Sequence, residues 1–302
     1  MKIGFYVLGK KGYFALLKFV KVFGPECVSF VVSNHDNGVV YDWYDDIVAL
    51  CNKKKICCFD YKREQAGIPQ KDESFCFAIG WRWMIKDYKN LIVFHDSLLP
   101  KYRGFSPLVN MLINGEKEIG VTALLASTKY DQGNIIDQVS RKISYPITIS
   151  EAIDKTIPLY TKLILKIALS IFSTGSFNSI PQDEFSASYS LWRDEYDYFI
   201  NWSQKAEEIE RFVDALGSPY HGAAAVLNGK FVRILAVEQF EDVNVENRNA
   251  NIGKCIFFKE NFPIVICGYG LIKITKIISE DGVDIKGNIP FRSRFESYEK
   301  RF

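Results

Sequence analysis

Short apolar runs alternate with longer mixed segments through the first half of the chain. The runs are Ile3 to Leu8, Val28 to Val32, Lys55 to Phe59, Cys76 to Ile79, Leu91 to Phe94 and Gly120 to Ala126. They are rich in Val, Ile and Phe and separated by helix-length stretches, which predicts βαβ units and a mostly parallel sheet. Two of the intervening helices are well punctuated. Ser106-Pro107 offers an N-cap followed by proline at the first helical position, and Asn114-Gly115 stops that helix. Thr148 with Glu151 forms a capping box ahead of a long apolar helix that ends near Gly175, with a kink expected at Pro158.

The pattern changes after that helix. Ser173 to Ser190 is dominated by Ser, Thr, Asn, Gly and Pro and reads as a linker. Ser203 is placed to cap a further helix whose apolar face is Ala206, Ile209, Phe212, Val213 and Leu216, with Gly217 as its stop. The remainder reads as β. Ala223 to Leu227 and Phe231 to Val237 flank Asn228-Gly229, the strongest short-range hairpin signal. Cys255 to Phe258, Ile264 to Cys267 and Leu271 to Ile274 continue as short strands, which predicts a small barrel-like domain. Two domains result, residues 1–185 and 186–302.

Composition narrows the function classes. With 302 residues and 48% hydrophobic side chains, the chain has material for two cores. The 23 Phe, 16 Tyr and 5 Trp argue against extensive disorder. A net charge of +2 gives no support to a general nucleic-acid-binding surface. Seven cysteines without CxxC spacing argue against a disulfide framework or a structural zinc site and fit a reducing compartment. Cys57-Cys58 reads as a pair of buried small hydrophobes. No run of 18 apolar residues suggests a membrane span, and the N-terminal run is too short for a secretory signal. A soluble cytoplasmic protein is expected.

The chain has three histidines: His35, His95 and His221. His35 reads as a turn residue and His221 as a junction residue. His95 directly follows the strand Leu91 to Phe94, and ligands bind beyond the carboxyl ends of strands in open parallel sheets. The next residues, Asp96-Ser97-Leu98-Leu99-Pro100-Lys101-Tyr102-Arg103-Gly104, suit a loop that holds a polar or anionic ligand, although a plain loop histidine has the same signature. Gly4, Gly9 and Gly12 around Lys10-Lys11 lack the dinucleotide spacing and read as a tight βα turn with two solvated lysines. Trp81, Trp83, Met84 and Ile85 read either as core or as an apolar slot for a planar ring.

The stretch from His95 to Gly104 resembles the HxSLLPxxxG signature of the folate-dependent formyltransferases. The resemblance continues through Gly120-Val121-Thr122 and Tyr130-Asp131-Gln132-Gly133-Asn134-Ile135, which stands in place of Asp-x-Gly-Asp-Ile. Upstream, Ile79-Gly80-Trp81-Arg82 is similar to the border of the folate pocket. Downstream, Trp202 and Ser218 to Ala223 resemble the junction into a C-terminal β domain. The resemblance implies a Rossmann-like catalytic domain followed by an OB-like one. It also implies transfer of a formyl group from N10-formyltetrahydrofolate to an amine. The attacking amine must lose a proton, the developing oxyanion needs a donor or cation, and the leaving nitrogen must be reprotonated.

By that resemblance His95 and Asp131 are the catalytic pair, with Asp131 holding the imidazole in its useful tautomer. Gly80, Trp81, Arg82, Trp83, Met84 and Ile85, with Asp131, border the folate. Ser97, Lys101, Tyr102, Arg103 and Gly104 are candidates to bind the acceptor, and no metal is implied. One departure stands out: Val93 occupies the position where the family has an oxyanion-donating asparagine. Either another group supplies that donor or the chemistry has drifted. The balanced charge favours a small acceptor over tRNA, and the expected one is a nucleotide-linked amino sugar of polysaccharide biosynthesis. Methionyl-tRNA, another small amine, or a folate-binding role without transfer are the alternatives. Related enzymes suggest a homodimer.

Overall fold

The computed structural model describes residues 1–63, 68, 75–85 and 90–298. Strands β1 (Ile3–Val7), β2 (Val28–Ser33), β3 (Cys58–Asp60), β4 (Phe75–Ile79) and β5 (Leu91–His95) run parallel, as their continuous apolar runs require. The two-residue strand β6 (Arg103–Gly104) lies outside that sheet. A further pair, β7 (Glu118–Leu125) and β8 (Ile135–Lys142), adds antiparallel to β5, giving the order β3-β2-β1-β4-β5-β7-β8. The chain direction across the sheet reverses between β1 and β4. That is the switch point at which open α/β sheets bind ligands.

The helices of this part of the chain are α1 (Gly9–Phe23), α2 (Tyr44–Lys54), the short α3 (Pro107–Ile113) and the long α4 (Ile149–Thr174), and α1 and α4 cover one face of the sheet. Their Leu16, Phe19, Leu163, Ile164 and Ile167 pack with Phe5, Phe77, Ile92 and Phe94 in the main core. α4 is long and apolar enough to cross a membrane by composition, and here part of that apolar surface is core. Pro158 lies inside this helix without ending it. On the other face Tyr6, Phe30, Val32, Cys76 and Ala78 form a smaller cluster joined by Trp81, Ile85 and Val93. Alternation along β5 therefore sends Ile92 and Phe94 towards the helices, and Val93 and His95 the opposite way.

The chain divides into two compact units. The first comprises Met1–Leu108, Glu118–Ile143 and Glu151–Leu191, and the second Val109–Lys117, Ser144–Ser150 and Trp192–Phe302. The predicted linker from Ser173 to Ser190 is thus part of the first unit. There β9 (Tyr189–Ser190) pairs in parallel with β6, and Ile180 bridges to Ile135. Within it Gln182, Glu184, Ser188 and Ser190 bond to neighbouring loops.

The second unit is an antiparallel sheet of six strands in the order β12-β13-β14-β11-β10-β15, in which β13 is Phe262–Ile266 and β14 is Leu271–Ser279, with α5 (Ala206–Leu216) packed against β11 (Lys230–Phe240). Its outer strands are β12 (Cys255–Lys259) and β15 (Phe295–Glu296). They approach each other through Cys255 N–H to Ser293 O at 3.0 Å and Phe295 N–H to Gly253 O at 2.8 Å, which gives the sheet its barrel-like closure. Asn228 and Gly229 both have positive φ, 49° and 78°, and join β10 (Ala223–Leu227) to β11 as the hairpin signal predicts.

Three local expectations fail. The cap of α5 is Lys205, whose N–H bonds Glu208 Oε2 at 3.0 Å; Ser203 N–H instead closes a turn onto Asn201. Cys57 is exposed, because it lies just before β3, the outer strand of the sheet. Lys10 and Lys11 are not simply solvated, since both make ion pairs, with Asp154 and Asp96.

Candidate active site

His95 closes β5 on the face away from the helices, at the carboxyl edge of the sheet, and is only 7% exposed. Its Nε2 lies 2.7 Å from Tyr102 O and its Nδ1 lies 3.5 Å from Asp131 Oδ2. Both facing atoms are acceptors. A neutral ring donates through Nε2 to the carbonyl, which leaves the Nδ1 lone pair directed at the carboxylate side. A proton arriving at Nδ1 then meets a carboxylate at once. The arrangement is a one-proton receptor built from two side chains and a backbone carbonyl.

Asp131 is placed by backbone geometry. It lies in the connection from β7 to β8 with φ 54°, a left-handed conformation, and its Oδ2 accepts the Gly104 N–H at 2.8 Å. The connection is held from outside by Gln182, whose Nε2 donates to Asp131 O at 2.7 Å and Gly133 O at 2.8 Å. Gly133 is required there, because a Cβ would lie 1.7 Å from Leu125 O. Gly104 has φ 98°, and a Cβ on it would fall 2.6 Å from Ser190 O, so only glycine allows β6 to approach β9. Arg103 N–H to Ser188 O, Phe105 N–H to Ser190 O and Tyr102 N–H to Ser188 Oγ complete this support, at 2.8, 2.9 and 2.9 Å.

Several residues expected to bind the acceptor have other tasks. Ser97 is fully buried and its hydroxyl donates to Lys101 O at 2.7 Å, closing the loop on itself. Arg103 is also fully buried. Its guanidinium makes two 2.8 Å bonds to the Glu184 carboxylate, with Gln182 Oε1 at 3.0 Å and Tyr189 OH at 3.3 Å. The Glu184 contact raises the Arg103 pKa, and in return holds Glu184 below its ordinary carboxylate value. These two are loop supports, because a buried, fully engaged group has nothing left to offer a ligand. Gly104 serves through its bond to Asp131. Tyr102 serves His95 through its carbonyl, and Lys101 is exposed on the loop.

The aromatic segment divides similarly. Trp81 packs edge-to-face with Tyr6, Tyr61 and Trp83, each at 5.1 Å, and Trp83 stacks on Tyr61 at 5.4 Å. Trp81 Nε1 is buried and has no hydrogen-bond partner among the described residues. Gly80, with φ 64°, starts this segment where the sheet order reverses. Ile85 joins the adjoining cluster and Met84 is exposed. Arg82 reaches instead to Asp36 in the loop after β2, with contacts of 2.6 and 2.9 Å. In that loop His35 bonds Asp42 at 2.8 Å, as a turn residue would, and His221 is exposed.

Sequence reasoning missed a second polar cluster on the helix side of β5. Asp96 contacts the Lys11 ammonium through Oδ2 and accepts the Tyr160 hydroxyl at Oδ1, 2.7 Å away. Tyr160, on α4, is buried, and its pKa lies well above the ordinary value through burial first, then the charges of Asp96 and Asp131. It also missed Thr122 and Gln138. Thr122 Oγ1 donates to Ser97 O at 2.6 Å and accepts from Leu99 N–H at 3.1 Å and from Gln138 Nε2 at 2.8 Å. Thr122 stood within the matching Gly120-Val121-Thr122, which was the available signal. Val93 packs beside Leu99, Leu124 and Ile135.

Residues 82–166 match the formyl transferase family and residues 194–293 match the formyl transferase C-terminal domain. The chain is 39% identical over 140 residues to the bifunctional polymyxin resistance protein ArnA of Wigglesworthia glossinidia brevipalpis, covering 46% of this chain and 21% of that one. It is 28% identical over 183 residues to methionyl-tRNA formyltransferase of Acetivibrio thermocellus, covering 61% and 57%. It thus spans from about a fifth to little over half of these relatives' lengths. The N-formyltransferase of Helicobacter canadensis, crystallised with folinic acid and dTDP-3-aminofucose, superposes with TM-score 0.69 at 21% identity, covering 91% of this chain and 98% of that one. The two family matches take in both units, and the chain belongs to the formyl transferase family.

Proposed function

We propose that the protein is an N-formyltransferase that moves a formyl group from N10-formyltetrahydrofolate to the amine of a nucleotide-linked amino sugar. The observation that carries the reading is the one-proton receptor at His95, with Nδ1 facing Asp131 and Nε2 committed to Tyr102 O. An amine that attacks a formyl carbon must shed a proton, and this ring has one vacant nitrogen to take it. Asp131 stabilises the resulting imidazolium without moving, since Gly104 already orients its carboxylate.

N10-formyltetrahydrofolate, when bound, supplies the formyl carbon and the leaving nitrogen. The residues fit such a group. The unpartnered Trp81 Nε1 offers a donor beside a slot of Tyr6, Tyr61, Trp81 and Trp83, which suits a flat heteroaromatic ring with acceptors. Trp81, Trp83 and the backbone from Gly80 to Ile85 would hold it. Lys101 is exposed on the signature loop, whereas Ser97 and Arg103 are buried and engaged, and it is the loop's cation for a phosphate.

A sugar nucleotide is favoured as acceptor by the net charge of +2 and by the two-chain coverage of the Helicobacter canadensis enzyme. The identity to methionyl-tRNA formyltransferase supports a second reading, with charged tRNA as acceptor. The setting we propose is a cytoplasmic homodimer in surface-polysaccharide synthesis.

The test is formylation by purified protein with N10-formyltetrahydrofolate and dTDP-, UDP-, GDP- and CMP-linked amino sugars, read by product mass. Transfer to one of these is expected, and loss of transfer with retained folate binding in His95→Ala. Formylation of methionyl-tRNA alone would establish the second reading, and turnover unchanged in His95→Ala would remove His95 from the chemistry.

A further inference from the structure

Asp96 follows His95 directly in the chain, yet its side chain lies on the opposite, helix-facing side of β5. It meets two groups brought from far away in sequence. Lys11, in the first turn of α1, places its ammonium on Oδ2, and Tyr160, near the middle of α4, donates to Oδ1 at 2.7 Å. The Tyr160 hydroxyl is also 3.3 Å from Phe94 O, so one buried phenol touches the residues on both sides of His95. Lys11 Nζ lies 6.0 Å over the Tyr160 ring. The side chains of Lys11 and Asp96 are 18% and 13% exposed, so their charges act with little screening by water.

We propose that Lys11 is a positioning residue for formyl transfer: by neutralising Asp96, it keeps a second negative charge from acting on His95, and Tyr160 locks that pair beside the strand end. The inference rests on the reading of His95 as the proton acceptor. His95 must be neutral at Nδ1 to take the amine proton. One carboxylate, Asp131, already faces that nitrogen. A second uncompensated carboxylate beside it would hold the ring in its protonated form and remove the vacancy.

Among the described residues, the titratable and charged groups on the elements that meet at His95 are Asp131 from the β7–β8 connection, Asp96, Tyr102 and exposed Lys101 from its own loop, Lys11 from α1 and Tyr160 from α4. Arg103 is turned away to Glu184, and Lys10 is paired with Asp154. On β7 the residue opposite His95 is the uncharged Thr122. Among the described residues, Lys11 is therefore the cation paired with Asp96.

The experiment is the titration of the His95 imidazole by NMR in the protein alone, with the signal identified among the three histidines by His95→Gln. Lys11→Met is expected to raise the His95 midpoint by about one pH unit, and Asp96→Asn to lower it by a similar amount. The double variant should return it close to the parent value, and Lys11→Arg should leave it there. Where turnover is measurable, the acid limb of kcat moves in the same directions. A purely structural role would lower melting temperature or rate in these variants and leave the midpoint in place. An unmoved midpoint in folded Lys11→Met overturns the proposal. If Lys11→Met does not fold, an unmoved midpoint in the near-isosteric Asp96→Asn does so. The titration needs neither donor nor acceptor, so absence of formylation would sink the proposed function and leave this result standing.

Discussion

The two sides of β5 hold a carboxylate by opposite means. On the His95 side, Asp131 is oriented by a backbone N–H from Gly104 and keeps Oδ2 3.5 Å from His95 Nδ1. On the helix side, Asp96 is closed off by an ammonium and a phenol hydroxyl. A peptide dipole steers a carboxylate without cancelling its charge, whereas a lysine cancels it. The same residue type therefore becomes a responsive partner on one side and a silent one on the other. What separates them is the donor that each backbone segment delivers.

The strongest way to break this comparison is to silence Asp131 as well. Asp131→Asn keeps the size and an oxygen for the Gly104 N–H but removes the charge. Turnover should fall by about 10²- to 10⁴-fold while melting temperature stays near that of the parent. A fall under tenfold in a steady-state formylation assay would show that the carboxylate does not answer the proton on His95.

Next in size is the backbone that aims Asp131. Gly104→Ala forces a Cβ to within 2.6 Å of Ser190 O at a φ of 98°. Unfolding by denaturant should show a loss of about 1–3 kcal/mol. The variant should also lose turnover beyond what stability explains, because the N–H that orients Asp131 moves with it. Full activity in Gly104→Ala would mean that the carboxylate finds its place without that bond.

A smaller effect is expected at Glu184, which holds Arg103 under the same loop. Its folded-state carboxyl lies below its ordinary value because Arg103 is beside it, so its contribution is present above the unfolded carboxylate pKa and is lost as pH falls. Glu184→Gln should therefore melt below the parent at pH 7, and the gap should close as the pH drops through the acidic carboxylate range. A constant gap across that range would show that packing, not charge, links these residues.

Much of this was legible in the sequence, for identifiable reasons. Ile3 to Val7 and Leu91 to Phe94 read as strands because both faces are buried, and Asn228-Gly229 read as a hairpin because both residues adopt the positive φ that the turn demands. β8 did not, since Asp137, Gln138, Ser140 and Arg141 interrupt its apolar residues on an edge strand. The partners of Lys11 and Arg103 were not legible at all. Lys11 and Asp96 are 85 residues apart and Arg103 and Glu184 are 81 apart, and no local periodicity encodes such pairs. The Ser173 to Ser190 segment misled for the same reason: its Gln182, Glu184 and Ser188 bond to the signature loop, contacts that composition does not reveal.

Arg82 offers the smallest effect and the sharpest control. Like Arg103 it was expected at a ligand, and like Arg103 it is found on a carboxylate, Asp36, at 2.6 Å. The difference is exposure: the Arg82 side chain is 48% exposed, and water already solvates much of its charge. Such a pair contributes about 0–1 kcal/mol, so Arg82→Gln should barely move the unfolding midpoint, and that small change should shrink further in salt. Because Arg82 lies between Trp81 and Trp83, folate titration of the same variant carries the second half of the argument. Retained affinity leaves the guanidinium to the β2 loop and the aromatic rings to the ligand. A marked loss of folate affinity with unchanged stability would mean that Arg82 leaves Asp36 when folate binds, and would return it to the ligand site.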